Sequence, residues 1–313
     1  MHSTVNRPGL AAVLVLAAMA LFGLIDNFIR LAAAEGGLWQ FHMLRSALAL
    51  LLLVPAALAT GARLRPLHTG RVALRSLLNS IAMVIYFGCL GFMPIAQVVA
   101  GLFTAPIFVV IFSVVLFRER VGPRRILAVL LGFAGIVLVL RPDAGALTLW
   151  SGVPALAGAA YALGNIATRR WCHGEGTFSL LAGFFGAMMI WGALGVAVLA
   201  LHPLPVAPGG DGFLTRGWVW PAGIYLAMIV VQGVGSVVGV GLSIRAYQMA
   251  DATFVAVFEN TLLVFATLWA IVLWGEVPDA LASLGIAMIM LAGIIIALRS
   301  ADPVPVRAAA VVE

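Results

Sequence analysis

The chain has no lysine; all eighteen of its basic residues are arginine. It has only two cysteines, and charged residues make up 10% of its 313 positions. Each shortage removes a class of protein. Cys89 lies inside an apolar run and Cys172 in a short loop, so no disulfide and no thiolate metal site is expected. There is no Gly-x-x-x-x-Gly-Lys-Ser/Thr loop, so ATP does not drive the chain directly. There is no His-Glu-x-x-His helix, and the Gly-Ser pairs lack the context of a nucleophile elbow. The five histidines are scattered, four of them in or near loops. An enzyme needs at least one such constellation. The expectation is therefore no catalytic residue, no cofactor and no metal. The missing lysine reflects genomic base composition, not mechanism.

What is present is apolar. Hydrophobic residues make up 63% of the chain. A soluble domain of this length does not have that composition, whereas a polytopic membrane protein does. The net charge of +6 does not imply nucleic acid. The arginines sit in short loops between apolar spans, where they set topology.

Runs of roughly 20 apolar residues mark membrane spans. Ten are expected, at 10–31, 37–60, 72–92, 95–117, 125–140, 149–168, 178–201, 218–244, 252–274 and 280–298. A tight turn at Met93-Pro94 joins the third and fourth. With the N-terminus inside, the inner loops hold Arg7, Arg63, Arg65, Arg71, Arg75, Arg118, Arg120, Arg124, Arg125, Arg169, Arg170, Arg245, Arg299 and Arg307. The outer side holds Arg30, Arg141 and Arg216. That bias predicts a bacterial inner-membrane protein with both termini cytoplasmic. Trp39, Trp150, Trp218, Trp220 and Trp274 then fall at outer span ends, as an aromatic belt. Ala18-Met19-Ala20 resembles a signal cleavage site, but cleavage would unbalance the duplication described next.

The chain echoes itself. Met93-Pro94-Ile95-Ala96 opens a long apolar helix that closes on Arg118-Glu119. Met249-Ala250-Asp251-Ala252 opens another that closes on Gly275-Glu276. An apolar helix containing Ala-Gly follows each, at Ala134-Gly135 and Ala292-Gly293. This pattern reads as an internal duplication. Five spans per half is an odd number, so the halves enter the membrane in opposite senses. The expected fold is all-α, with ten transmembrane helices in two inverted five-helix repeats. A cytoplasmic N-terminus (1–9) precedes the first repeat (10–143), and the second (144–299) is followed by a disordered cytoplasmic tail (300–313).

At this point short motifs align with a known family. They include Arg45-Ser46, Tyr86-Phe87, Met93-Pro94-Ile95-Ala96, Thr104-Ala105-Pro106-Ile107-Phe108 and the block from Glu119 to Pro142. The second half adds Arg245-Ala246-Tyr247 and Gly275-Glu276-Val277-Pro278. The chain resembles EamA-type carriers of the drug/metabolite transporter superfamily over nearly all of residues 10–298. The resemblance implies a ten-helix inverted-repeat carrier that works by alternating access, with helices of both halves lining the cavity. Two departures stand out. Glu259-Asn260 occupies a site where a branch of the family carries aspartate then tyrosine. The first repeat reads Phe117-Arg118-Glu119 where related loops often read Leu-Gly-Glu.

The candidate site centres on Glu259, deep in the ninth span. A charge at that depth costs at least ~2.5–3.5 kcal/mol, so it is expected to face protein or a wet chamber. It could carry a proton, hold a cationic group of the substrate, or make a structural hydrogen bond to a neighbouring helix. Asn260 stands beside it, about 100° round the helix. Asp26 and Arg30 are spaced for an ion pair on one helix face, and Asp26 could instead pair with Arg45 on the second span. For Arg45 and Arg30, structural pairing is the expectation. Asn79 and Tyr86 on the third span, Tyr161 and Asn165 on the sixth, and Gln232 and Ser236 on the eighth form three polar faces. They are expected to gather beside Glu259 around a polar solute, although each alone reads as an interhelical hydrogen bond. Gly235-x-x-x-Gly239 reads as close helix packing, and Pro106 and Pro154 as kinks or turn neighbours.

The expected function is secondary transport of a small polar organic metabolite, amino-acid-like, vitamin-like, cationic or zwitterionic. The expected partners are that solute, protons if transport is coupled, and the bilayer, with the protein a monomer or homodimer. Uncoupled facilitated diffusion and a non-transporting receptor or scaffold are the alternatives.

Overall fold

A computed structural model describes residues 7–89, 95–119, 121–140 and 152–300. The Met93-Pro94 turn, Arg120, Arg141, Trp150 and the tail after Ser300 lie outside the described residues. A helix stands on each of the ten predicted stretches, and three stretches are broken in two. In order these are α1 (Pro8–Asp26) with α2 (Ile29–Glu35), α3 (Leu38–Thr60), α4 (Thr69–Cys89), and α5 (Ile95–Leu102) with α6 (Ala105–Val115). There follow α7 (Pro123–Leu140), α8 (Val153–Arg170), α9 (Thr177–Leu201), α10 (Gly223–Met249), α11 (Ala252–Glu259) with α12 (Thr261–Trp274), and α13 (Ala280–Ser300). No strand occurs among the described residues.

Eight of the stretches are long and apolar enough to cross a membrane, so the protein is a multi-pass, all-helical membrane protein. The count of ten is not reached on length and composition. The apolar part of α13, Ala280–Ile295, is too short among the described residues, and α8 is too polar. The reason for the polarity of α8 is its position. It packs against α4, α5, α6 and α10, and half of its residues are buried, Asn165 and Thr168 among them. A helix enclosed by protein needs no lipid-facing apolar surface. The eighth stretch also moves, from 218–244 to Gly223–Met249. Ile244, Ala246 and Tyr247 are buried, and their packing carries the helix past its predicted end.

The main packing pairs are α7 with α13, α3 with α9, α4 with α8, and α1 with α10; α12 also packs on α1, and α5 and α6 on α8. Replacing each stretch by the one five places along leaves this list unchanged. Two pairs map onto themselves, and the contacts of α8 with the third and fourth stretches map onto those of α1 with the eighth and ninth. A close glycine-to-glycine approach lies on one self-mapping pair. A β-carbon at Gly135 would sit 2.6 Å from the Gly285 carbonyl oxygen, and one at Gly285 2.5 Å from that of Gly135. Only glycine lets these two backbones touch.

The helix breaks obey the same correspondence. Thr104 stands eleven residues after Met93, and Asn260 eleven after Met249. Each sits at the interruption of its stretch. In the first, Pro106 lacks an N–H and enters only in the first turn of α6. Pro154 likewise sits in the first turn of α8 and kinks nothing.

The two echoed helices also end alike. The Glu119 N–H donates to Ser113 O at 2.9 Å, and the Glu276 N–H to Ala270 O at 3.3 Å. Both bonds reach back six residues, one more than the 6→1 bond of a Schellman motif, and each closes over one residue in the left-handed region. In the second half that residue is Gly275, φ +70°. In the first it is Arg118, φ +52°, the only described non-glycine residue with positive φ. Arg118→Gly is therefore expected to raise stability by about 1 kcal/mol, read as a higher Tm in detergent.

Candidate functional site

The α11–α12 break places Glu259 on the last turn of α11, facing α8 and α10. The residue is 8% exposed. Tyr161 of α8 donates its hydroxyl to Oε1 at 2.9 Å, and Tyr247 of α10 donates to Oε2 at 2.7 Å. Both carboxylate oxygens are thus held by phenols from two other helices. Asn165, one turn beyond Tyr161, adjoins both hydroxyls, and its amide nitrogen has no partner among the described residues. Phe254, Val257 and Phe258 wrap the group in apolar packing. Of the two surroundings expected for Glu259, protein or a wet chamber, this conformation shows protein, with a tyrosine hydroxyl on each carboxylate oxygen.

Asn260 turns away from Glu259 toward α7. A β-carbon at Gly132 would meet its Nδ2 at 2.8 Å. Neither amide atom of Asn260 has a partner among the described residues.

The three polar faces do not converge on Glu259. Only the Tyr161–Asn165 face reaches it. Gln232 is buried elsewhere, donating to Ile25 O at 2.7 Å and to Asp26 Oδ1 at 3.5 Å. Ser236 is buried one turn further along α10. Tyr86 lies within the electrostatic reach of Asp26, its ring edge-on to Phe87 at 4.9 Å. Asn79 packs against Gly164, and with its amide turned so that the oxygen faces Arg75 it accepts from Arg75 Nε and Nη2 at 3.2 Å. Arg75 was expected in a loop but lies in the second turn of α4, 3% exposed. It also donates to Thr168 Oγ1 at 2.9 Å and Leu180 O at 3.3 Å. Neutral oxygens satisfy this guanidinium, which binds α4 to α8 and α9.

The pairing expected between Asp26 and Arg30 does not form. The chain breaks at Asn27–Phe28, whose Asn27 amide donates to Gly23 O and Ala266 O at 2.7 and 3.1 Å, so the i,i+4 register between the two is lost. Arg30 instead joins Glu276 at 3.1 Å and covers the Trp274 ring at 3.5 Å. Arg45 forms no ion pair among the described residues. Asp26 is exposed while Glu259 is buried, so the polar residues divide into two clusters.

Comparison with known proteins follows this geometry. Residues 9–141 match the EamA-like transporter family. A solved crystal structure superposes with a TM-score of 0.75 over 92% of this chain and 96% of that one, at 22% identity. The chain is 25% identical to the riboflavin transporter of Brucella anthropi, covering 77% of this chain and 79% of that protein. It is 27% identical to the pseudopaline exporter CntI of Pseudomonas aeruginosa, over 87% and 90%. It is 26% identical to the S-adenosylmethionine uptake transporter of Rickettsia felis, over 66% and 64%.

Residues 9–141 of this chain match an EamA-like transporter domain, and relatives named as transporters align across most of its length.

Sequence reasoning missed Tyr247 as a site residue. It ended the eighth span at 244 and left Tyr247 in a loop. The available signal was that Tyr247 lies twelve residues before Glu259, across one short turn between antiparallel helices.

Proposed function

We propose that the protein is a secondary carrier of a small organic metabolite, built from two inverted repeats that rock about their interface. The observation that carries this reading is a pair of matched latches at opposite ends of the bundle. At one end Arg170 of α8 pairs with Glu119, and its guanidinium lies 4.4 Å from the Phe117 ring. At the other, Arg30 of α2 pairs with Glu276 and lies over Trp274. In each, the fourth helix of one half ends in aromatic-x-Glu and grips an arginine from the first helix of the other half. Opening and closing these latches in turn is what alternating access requires. Arg125 and Arg169 meet Asp251 at 2.8 and 3.3 Å beside the first latch. The arginine bias assigns that end to the cytoplasm.

Transport of small metabolites is named for the relatives of this chain, in words that include both an exporter and an uptake system. Glu259, with Tyr161 and Tyr247, is the proposed proton-coupling group. A carboxylate can accept from both phenols. A protonated acid must donate, so one hydroxyl has to turn away. Loading a proton would thus reverse one of these hydrogen bonds and remove the charge assistance from both, weakening the hold of α11 on α8 and α10.

All four latch side chains are 38–59% exposed, so each ion pair contributes ~0.2–1 kcal/mol. Glu119→Gln and Glu276→Gln are expected to shift the inward- and outward-open populations by up to about five-fold, in opposite directions. Spin-label distances across the two ends, in nanodiscs, read the shift. A disulfide between cysteines at 119 and 170, or at 276 and 30, is expected to stop solute flux in liposomes until reduced. Full flux with either end locked would leave the alternating-access reading without support, and no flux of any solute would favour a receptor or scaffold.

A further inference from the structure

We propose that Asp26 and Arg45 form a two-pole recognition site for a zwitterionic solute, with Asp26 taking its ammonium group and Arg45 its carboxylate. This inference rests on the carrier reading. The site lies away from Glu259, at the outward end assigned by the arginine bias, where α1 ends beside α10 with Arg45 of α3 and Tyr86 of α4 within electrostatic reach of Asp26.

Three observations converge there. Asp26 is the last residue of α1 and is exposed as a residue, while its carboxylate contact with Gln232 is part-buried. Its one hydrogen bond from a side chain is the 3.5 Å contact with Gln232, and that amide is engaged more closely by Ile25 O at 2.7 Å. Arg45 of α3 is half-buried, its guanidinium 5.7 Å from the Phe41 ring, and its buried Nε has no partner. The two side chains are near enough to feel each other's charge, yet no ion pair forms between them.

That gap is what needs explaining. Inside a membrane, opposite charges within reach gain by pairing, since each alone is costly. Here Gln232 anchors beside Asp26, and Arg45 is held toward Phe41, so the poles stay apart. A bridging ligand would satisfy both. The guanidinium fork fits a carboxylate, and a lone carboxylate fits an ammonium. His42, one turn before Arg45, is 2% exposed with both ring nitrogens unpartnered among the described residues. It rests against Phe87 at 4.4 Å, and Phe87 adjoins Tyr86. This aromatic group is placed to flank the body of a solute held between the poles.

The test uses purified full-length protein in nanodiscs. The probes are the twenty free L-amino acids and S-adenosylmethionine, and for each compound that binds, its carboxamide and its N-acetyl derivative. At least one zwitterion is expected to raise Tm, with both derivatives binding at least tenfold more weakly. Asp26→Asn is expected to weaken the zwitterion tenfold or more and leave the N-acetyl form unchanged. Arg45→Gln is expected to do the same relative to the carboxamide. If Arg45→Gln does not fold, Arg45→Lys keeps the cation without the fork, and a smaller loss confined to carboxylate-bearing probes is expected. Derivatives that bind as tightly as their parent, or variants that weaken all three forms equally, overturn the site. Flux of riboflavin or another non-zwitterion with no zwitterion bound overturns it while leaving the carrier reading intact. Absence of flux for any solute removes the carrier reading instead.

Discussion

Liposomes carrying Glu259→Gln are expected to lose proton-gradient-driven accumulation while retaining solute counterflow. The carboxylate accepts from Tyr161 and Tyr247 at 2.9 and 2.7 Å. Glutamine has the same shape but one acceptor oxygen, and it cannot titrate. Its amide nitrogen can only donate, so one phenol has to turn as it would for the protonated acid. The variant is held permanently in the loaded arrangement. With no group left to titrate, driven accumulation is expected to fall to the level of liposomes without protein. Counterflow requires no net proton movement, so it separates a coupling defect from a broken protein. Driven accumulation that survives at the wild-type rate would place coupling elsewhere and leave Glu259 a structural group.

Glu175→Ala is expected to give the largest loss of stability of any single loop substitution, by about 3 kcal/mol or more. Glu175 stands in the turn between α8 and α9, its side chain 1% exposed. Its carboxylate accepts from the Leu67 and His68 N–H groups at 2.9 and 2.6 Å, just ahead of α4, where unsatisfied donors and the positive end of the helix dipole meet. Its own carbonyl accepts from Gln248 at 2.9 Å. One side chain thus ties the α3–α4 loop to α9, and the same residue's backbone ties in the end of α10. Removing it takes the acceptor from two part-buried donors. Glu175→Gln keeps an acceptor and is expected to cost less. Thermal melts in detergent compare the two, and a Glu175→Ala variant as stable as wild type would show that water replaces the carboxylate without penalty.

Neither residue could be valued from the sequence alone, and for different reasons. Glu259 was visible because lipid makes an acid at that depth conspicuous. Its partners were not, since Tyr161 is 98 residues away and Tyr247 was assigned to a loop. Glu175 was invisible because a glutamate in a short polar loop looks like any solvated residue. Only the loop 107 residues earlier makes it buried. The pairing expected for Asp26 and Arg30 failed because one interruption, at Asn27–Phe28, removed the register that the spacing assumed. The polar faces of α4 and α10 were read as faces, but which helix each one meets depends on packing that no local pattern encodes.

The helical stretches, their order and the echo between halves were determined by the sequence itself. A bilayer demands long apolar runs with their backbone bonds satisfied internally, and that demand acts on each segment separately. Tertiary structure alone decided where the polar groups meet. It set Arg30 on Glu276 and Arg170 on Glu119, closed two phenols on Glu259, and kept Asp26 apart from Arg45. Those outcomes depend on angstrom-scale approach between helices far apart in the chain, as at Gly135 and Gly285. Such distances are set by the whole bundle packing at once.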